Sequence, residues 1–171
     1  MKKTLTILLL TIVLCPFALA QICDENTTKT TPDDRFTIHN NGTLTDKTTG
    51  LIWMRCSVGQ TWDNNTAICL NDAEAYTWSE AIIIADTLDF AGKKDWRVPN
   101  IKALKSIVEL ACDFPAINET LFPQSVSSGY WSSSQGANNN SYAWNVYFSY
   151  GFDYNNDKDD SKYVRLVHDG Q

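Results

Sequence analysis

Helical and strand periodicities are segregated along this chain, and that segregation limits the folds open to it. Strand signals mark Arg35–Ile38, Thr43–Thr45 and Leu51–Met54 early on, then Tyr130–Ser134, Tyr142–Tyr150 and Tyr163–His168 late. Some alternate apolar with polar residues, and Leu51–Met54 is apolar throughout, as a largely buried strand would be. A 3.6-residue period occupies only the middle. There Trp78, Ala81, Ile82, Ala85 and Leu88 share one side of a helix, as do Ile101, Leu104, Ile107, Val108 and Ala111. Strands at both ends with helices between them exclude an alternating βαβ order. The pattern predicts an α+β domain, with two helices packed on short, mainly antiparallel strands.

The helices meet at Asp95-Trp96-Arg97-Val98-Pro99-Asn100. Pro99 keeps Val98 extended, and Asn100 is an apt N-cap for a helix over 101–111. Trp96 is expected to fill the core and Arg97 to be buried and paired. Upstream, Thr77 and Glu80 fit a capping box, and Gly92 suits a left-handed cap closing the first helix. Ile83 falls on that helix's wet face, which leaves a homo-oligomer contact open. Residues 56–74 and 113–128 read as loops, and 151–161 as a polar turn region. Within the clearest strand, Tyr142, Trp144, Val146, Phe148 and Tyr150 are assigned to the core, and Ala143, Asn145, Tyr147 and Ser149 to the other face.

Residues 1–20 read as a secretory leader: Lys2 and Lys3, an apolar run from Leu5 to Leu14, then Ala18-Leu19-Ala20 before a cleavage at Ala20–Gln21. An arm over 21–34 and a single domain over 35–171 follow. No later apolar stretch is long enough for a membrane span, so the chain is not expected to be an integral membrane protein. Removing Lys2 and Lys3 from a chain of formal charge −6 leaves −8. So acidic a surface argues against nucleic acid as a partner. Past the leader stand Cys23, Cys56, Cys69 and Cys112, an even set that reads as two disulfides in an oxidising secreted, periplasmic or cell-surface setting. Three connectivities are open. The favoured one is Cys56–Cys69, stapling the loop between them, with Cys23–Cys112 tying down the arm.

Common catalytic patterns are missing from the sequence, and His39 and His168 are its only histidines, so no enzyme is expected. No cofactor is expected. Asp153, Asn155, Asp157 and Asp159 have the early spacing of a calcium loop. Lys158 stands where the turn needs glycine and Val164 where the bidentate Glu would be, which excludes an EF-hand and leaves a looser calcium site open. The remaining feature is aromatic residues close to Asn-rich loops. Sugars take apolar ring faces plus planar amides, and Tyr147, Tyr154, Asn138, Asn139, Asn140 and Asn145 are the candidate ligand-binding residues.

Five motifs in order, Gly50-Leu51-Ile52-Trp53, Asp95–Asn100, Pro115-Ala116-Ile117-Asn118, Tyr130-Trp131-Ser132-Ser133-Ser134 and Val164-Arg165-Leu166-Val167, run through nearly the whole chain past the leader. Together they resemble the C-terminal domain of the Legionella collagen-like adhesin and its bacterial relatives. The resemblance makes Trp53, Trp96, Arg97, Pro99, Asn100, Trp131, Trp144 and Arg165 a structural signature. It implies a C-type-lectin-like fold, more remotely similar to the formylglycine-generating enzymes, whose catalytic cysteines have no counterpart here. It also implies a recognition module, secreted or envelope-associated, for a glycan or protein partner at the cell surface. A structural, self-assembling envelope component is the alternative. The adhesin binds sulfated glycans, and a charge of −8 sits poorly with such a ligand.

Overall fold

The computed structural model describes residues 21–137 and 139–170, and the expected leader lies outside the described residues. The arm starts with β1 (Ile22–Cys23). Next come β2 (Phe36–Ile38), β3 (Thr43–Asp46) and β4 (Ile52–Met54), the expected meander, with Leu44 opposite both Ile38 and Trp53. Leu44 and Trp53 are fully buried, as period-2 alternation requires of a sheet with one face inward. Asp46 is buried as well. Burial works to raise its carboxyl pKa, but hydrogen bonds from Arg35, Thr49 and Thr48 outweigh that and hold it below the ordinary value.

The segment expected to be a loop from Cys56 to Glu74 contains a hairpin, β5 (Thr61–Asp63) and β6 (Ile68–Leu70). Asp63 builds its turn by accepting from the Asn65 N–H at 3.0 Å and the Thr66 hydroxyl at 2.6 Å. The Cys56–Cys69 disulfide fastens the hairpin, and Arg55 lies 4.3 Å from the Trp62 ring centroid.

After β7 (Ala75–Tyr76) comes α1 (Trp78–Thr87), opened by the predicted Thr77–Glu80 capping box. Ala81 and Ala85 are buried and Ile83 is 63% exposed, as the periodicity requires. Gly92 is not its cap. The helix stops at Thr87, and Ala91 (φ 55°) and Gly92 (φ 71°) form a tight turn closed by reciprocal 3.0 Å bonds between Phe90 and Lys93. The second helix, α2 (Ile101–Lys105), begins where predicted, with Asn100 accepting from the Ala103 N–H at 2.8 Å, but ends six residues earlier than the expected 111. Ile107, Val108 and Glu109 are three buried residues in a row, which a helix with one wet face cannot accommodate. The backbone turns away instead, and the Glu109 N–H donates to Ala116.

β8 (Cys112–Asp113) pairs with β1 beside the Cys23–Cys112 disulfide, so both favoured disulfides are present. The rest of the chain supplies β9 (Gly129–Gln135), β10 (Tyr142–Tyr147), β11 (Phe152–Asp157), β12 (Lys162–Tyr163) and β13 (Val167–His168). Two main sheets result, ordered β11-β10-β9-β12-β7 and β13-β4-β3-β2. The polar turn region expected at 151–161 is therefore corrected: it holds a six-residue edge strand, whose polar side chains face water. The last predicted strand is two strands, one in each sheet, with buried Val164, Arg165 and Leu166 crossing between them.

The sheet ordered β11-β10-β9-β12-β7 has an apolar cluster on each face. Tyr130 and Trp131, adjacent on β9, enter different clusters: Tyr130 joins Leu104, Ile107 and Val146, and Trp131 joins Ala81, Ala85, Trp96 and Ala143. This corrects the one-sided reading of β10. Ala143 and Asn145 are as buried as Val146 and Phe148, whereas Tyr142 and Tyr150 are exposed and Trp144 is half-buried. A central strand between two cores is covered on both faces, so alternation no longer identifies an inner one.

Of the signature residues, Trp53, Trp96, Pro99, Trp131 and Arg165 are buried and Asn100 caps α2. Arg97 is paired but not buried: its guanidinium meets Asp169 at the surface, with the Nε–Oδ1 contact at 3.1 Å. Arg165 is the buried arginine. It donates to the Met54 and Arg55 carbonyls and to the Ser57 and Ser125 hydroxyls, with Phe122 and Tyr130 rings beside it. Burial pushes its pKa down, yet no carboxylate pairs with it among the described residues. No helix among those residues is long and apolar enough to cross a membrane.

Candidate functional site

The exposed aromatic residues gather on the β10–β11 hairpin. Its register pairs Tyr147 with Phe152, Asn145 with Tyr154 and Trp144 with Asn155. The turn is fixed from behind. Gly151 (φ 76°) comes so close to Val108 that an added Cβ would lie 2.5 Å from its Cγ1. The Phe114 N–H donates to the Ser149 carbonyl at 3.0 Å, and the Phe114 ring meets Tyr150 edge-on at 4.7 Å. The neighbouring fold therefore positions the turn.

Alternation sends the hairpin's side chains to two faces. On one, Tyr147, Ser149, Tyr150, Phe152 and Tyr154 line an open cleft of about 310 Å³. Tyr147 and Tyr154 meet edge-to-face at 5.5 Å, the geometry aromatic quadrupoles favour. Tyr150, Phe152 and Tyr154 are 51%, 61% and 51% exposed. Lys162, itself buried, backs this face: its Nζ donates to Tyr147 Oη at 3.3 Å and lies 3.8 Å from the Asp160 carboxylate. On the other face, Tyr142, Trp144 and Asn155 join Gly136, Ala137 and Asn139 around a second cleft of about 320 Å³.

The candidate ligand residues from the sequence thus separate. Tyr147 and Tyr154 come together in the first cleft, and Asn139 belongs to the second. Asn145 is fully buried, donating to the Tyr154 carbonyl and to Asn156 Oδ1, both at 2.9 Å, so it ties the two strands together and is not on the surface. Asn140 is exposed on the connecting loop outside both clefts, and Asn138 lies outside the described residues. Sequence reasoning missed Tyr150, Phe152, Tyr142, Trp144 and Asn155. Recognising β11 as a strand would have found Phe152 and Asn155, because Phe152 and Tyr154 alternate with Asp153 and Asn155.

The four residues with calcium-loop spacing are not brought together. Asp153, Asn155 and Asp157 lie along β11, where alternate residues stand about 6.8 Å apart. Lys105 holds Asp153 at 2.5 Å, and Asp157 accepts from the Asp159 N–H at 3.1 Å. Among the described residues, no three His, Cys, Asp or Glu side chains cluster to hold a metal ion. The histidines are also apart. His39 shares a 2.8 Å hydrogen bond with Thr45, following β2 at one edge of its sheet, while His168, on β13 at the opposite edge, packs against Trp96.

Fold and site together define a disulfide-stapled α+β domain that exposes aromatic clefts on both faces of one β-hairpin. The chain belongs to the Lcl C-terminal domain family, which it matches over residues 42–168. No curated protein is a match to it. The two disulfides fit an oxidising compartment, extracellular or periplasmic.

Proposed function

We propose that this domain is a non-catalytic recognition module, exported from the cell, whose glycan or protein ligand seats on the β10–β11 hairpin. The observation that carries this reading is the cleft of Tyr147, Tyr150, Phe152 and Tyr154. Large rings are held half-exposed there by a turn that the fold fixes rigidly. Rigid aromatic groups give contact area at little entropic cost, which is why recognition surfaces favour them. Family membership supports the same reading through the resemblance to an adhesin's C-terminal domain, and a C-type-lectin-like architecture is part of the proposal.

The test is solid-phase binding to a glycan array and to host surface and matrix proteins, comparing wild type with Phe152→Ala/Tyr154→Ala and with Tyr142→Ala/Asn155→Ala. A ligand whose binding falls at least tenfold in one of these variants, with the fold intact, is expected. No ligand of either class, or a ligand indifferent to both variants, overturns the proposal. Self-association is the second reading, favoured by Ile83, exposed beside the groove that Trp96 and Arg97 line. Light scattering that finds only monomer at high concentration removes it.

A further inference from the structure

We infer that the Trp144 face of the hairpin is a subsite for an uncharged sugar ring; this rests on the recognition reading above and names a ligand class and a place for it. The first support is how the structure presents Trp144. Between β9 and β10 the register shifts: Ala143 pairs with Gln135, but Asn145 pairs with Trp131. One residue of β10, Trp144, therefore stands opposite three of β9, Ser132 to Ser134. Such a bulge bends the strand that carries the extra residues, here β9, and leaves Trp144 opposite the bent segment.

The bulge is held in place. Ser132 Oγ donates to the Trp144 carbonyl at 2.7 Å, and the Ser133 N–H donates to the Pro99 carbonyl at 2.8 Å. The Ile101 N–H, at the start of α2, donates to Ser134 Oγ at 3.0 Å. The Pro99-Asn100 stretch and the head of α2 thus brace the strand against which Trp144 lies. Trp144 itself is a half-buried indole beside an exposed phenol, Tyr142.

The second support is the chemistry of the lining. Asn139 and Asn155 add two carboxamides to the two rings. Asn139 Oδ1 accepts from the Ser141 N–H at 2.9 Å, which leaves its amide N–H groups to a ligand. Asn155 forms no side-chain hydrogen bond among the described residues and is exposed. A carboxamide both donates and accepts in one plane, which matches a pair of adjacent hydroxyls. An aromatic face matches the C–H-bearing side of a pyranose. The other cleft has rings and hydroxyls but no amide in its lining, so it lacks this combination. At about 320 Å³ the cleft lies at the small end of the ~300–1,000 Å³ range of small-molecule sites, enough for one or two sugar units.

Charge settles which sugars fit. Among the described residues, no cation lines the cleft. Asp157, directly across the strands from Tyr142 and on the same face, contributes negative charge, and Lys105 is already paired with Asp153. A sulfated or carboxylated ring meets repulsion without a compensating base, and a neutral ring meets neither.

The experiment is an array of neutral, sialylated and sulfated glycans, followed by ¹H–¹⁵N NMR titration of the full chain with the strongest neutral hit. The expected result is a neutral hit that shifts the Trp144 indole and the Asn155 amide resonances. Its affinity is expected to change little with added salt. Asn155→Ala and Tyr142→Ala, both at exposed positions, should each weaken it at least tenfold while melting like wild type, and Ile38→Ala, exposed on β2 and outside both clefts, should leave it unchanged. Three outcomes overturn the inference: sulfated or sialylated glycans bind more tightly than any neutral one, the shifts map to Tyr147 and Tyr154, or no glycan of any class binds. In the last case, a protein ligand lost in Phe152→Ala/Tyr154→Ala removes the sugar subsite and leaves the recognition reading standing.

Discussion

Thr31 and Glu109 meet out of solvent: the Glu109 carboxylate accepts from the Thr31 N–H at 2.9 Å and from its hydroxyl at 2.8 Å, and the residues are 0% and 1% exposed. Its other oxygen accepts from the Thr30 N–H and the Ala111 N–H. The arm is therefore anchored by a buried carboxylate as well as by a disulfide.

Glu109→Gln should loosen that anchor. The substitution replaces an all-acceptor group with one that turns an N–H₂ toward N–H donors. Losing charge-assisted bonds and stranding buried donors is expected to cost about 2–4 kcal/mol in urea denaturation. Hydrogen exchange at the Thr30 and Thr31 amides should rise more than exchange in β9 or β10.

Acid should act at the same place. Burial raises the Glu109 carboxyl pKa, but the N–H groups of Thr30, Ala111 and Thr31 and the Thr31 hydroxyl outweigh it, so the folded value lies below the ordinary 4.5. A lowered folded pKa stabilises the protein above pH 4.5, and that contribution disappears as pH falls through the folded value. Asp46, also lowered, adds to the same dependence. Melting temperature is expected to drop as pH falls below 4.5, and to drop less in Glu109→Gln than in wild type.

Gly151→Ala and Gly50→Ala form a controlled pair. Both glycines have positive φ, 76° and 74°, but only Gly151 has a neighbour where a Cβ would go. Backbone strain alone is expected to cost Gly50→Ala about 1 kcal/mol, while Gly151→Ala adds overpacking against Val108 for a total of about 2–4 kcal/mol. Because Gly151 seats the turn, its variant should also weaken any ligand of the Tyr150–Phe152 cleft. Equal losses in the two variants would count against the close packing described for that turn.

Arg165→Lys should be far from conservative. The guanidinium reaches two carbonyls and two hydroxyls in one buried plane, which a single ammonium cannot reproduce. We expect a loss of about 3–5 kcal/mol, read by chemical denaturation. Arg97→Lys, at the surface pair with Asp169, should cost less than about 1 kcal/mol.

The fold was legible wherever local chemistry decided it. The meander of β2 to β4, the capped starts of α1 and α2 and the exposed Ile83 all follow from turn residues, caps and period. Reading failed where tertiary context reversed the local rule. Trp144 looked like core because strict alternation assumes one buried face, and β10 has two. Phe152–Asp157 looked like a turn because an edge strand needs no apolar face. Arg97 looked internal because it sits between two buried residues, yet buried charge is concentrated at Arg165, and nothing in Val164-Arg165-Leu166 signals that its side chain faces inward. The candidate site inherited the same errors: its tyrosines were found, but which residues share a face depends on recognising β11.

The Cys23–Cys112 bond closes a loop of 89 residues in sequence separation. If the domain is pulled by its two ends, tension entering at the arm crosses that bond to β8 and bypasses everything from Asp24 to Ala111. Both helices, the meander and the Cys56–Cys69 hairpin are outside the line of force. The load runs instead through the polypeptide from Cys112 onward, and so through β9, β10 and β11. The segment that carries the aromatic clefts is the one that feels the strain.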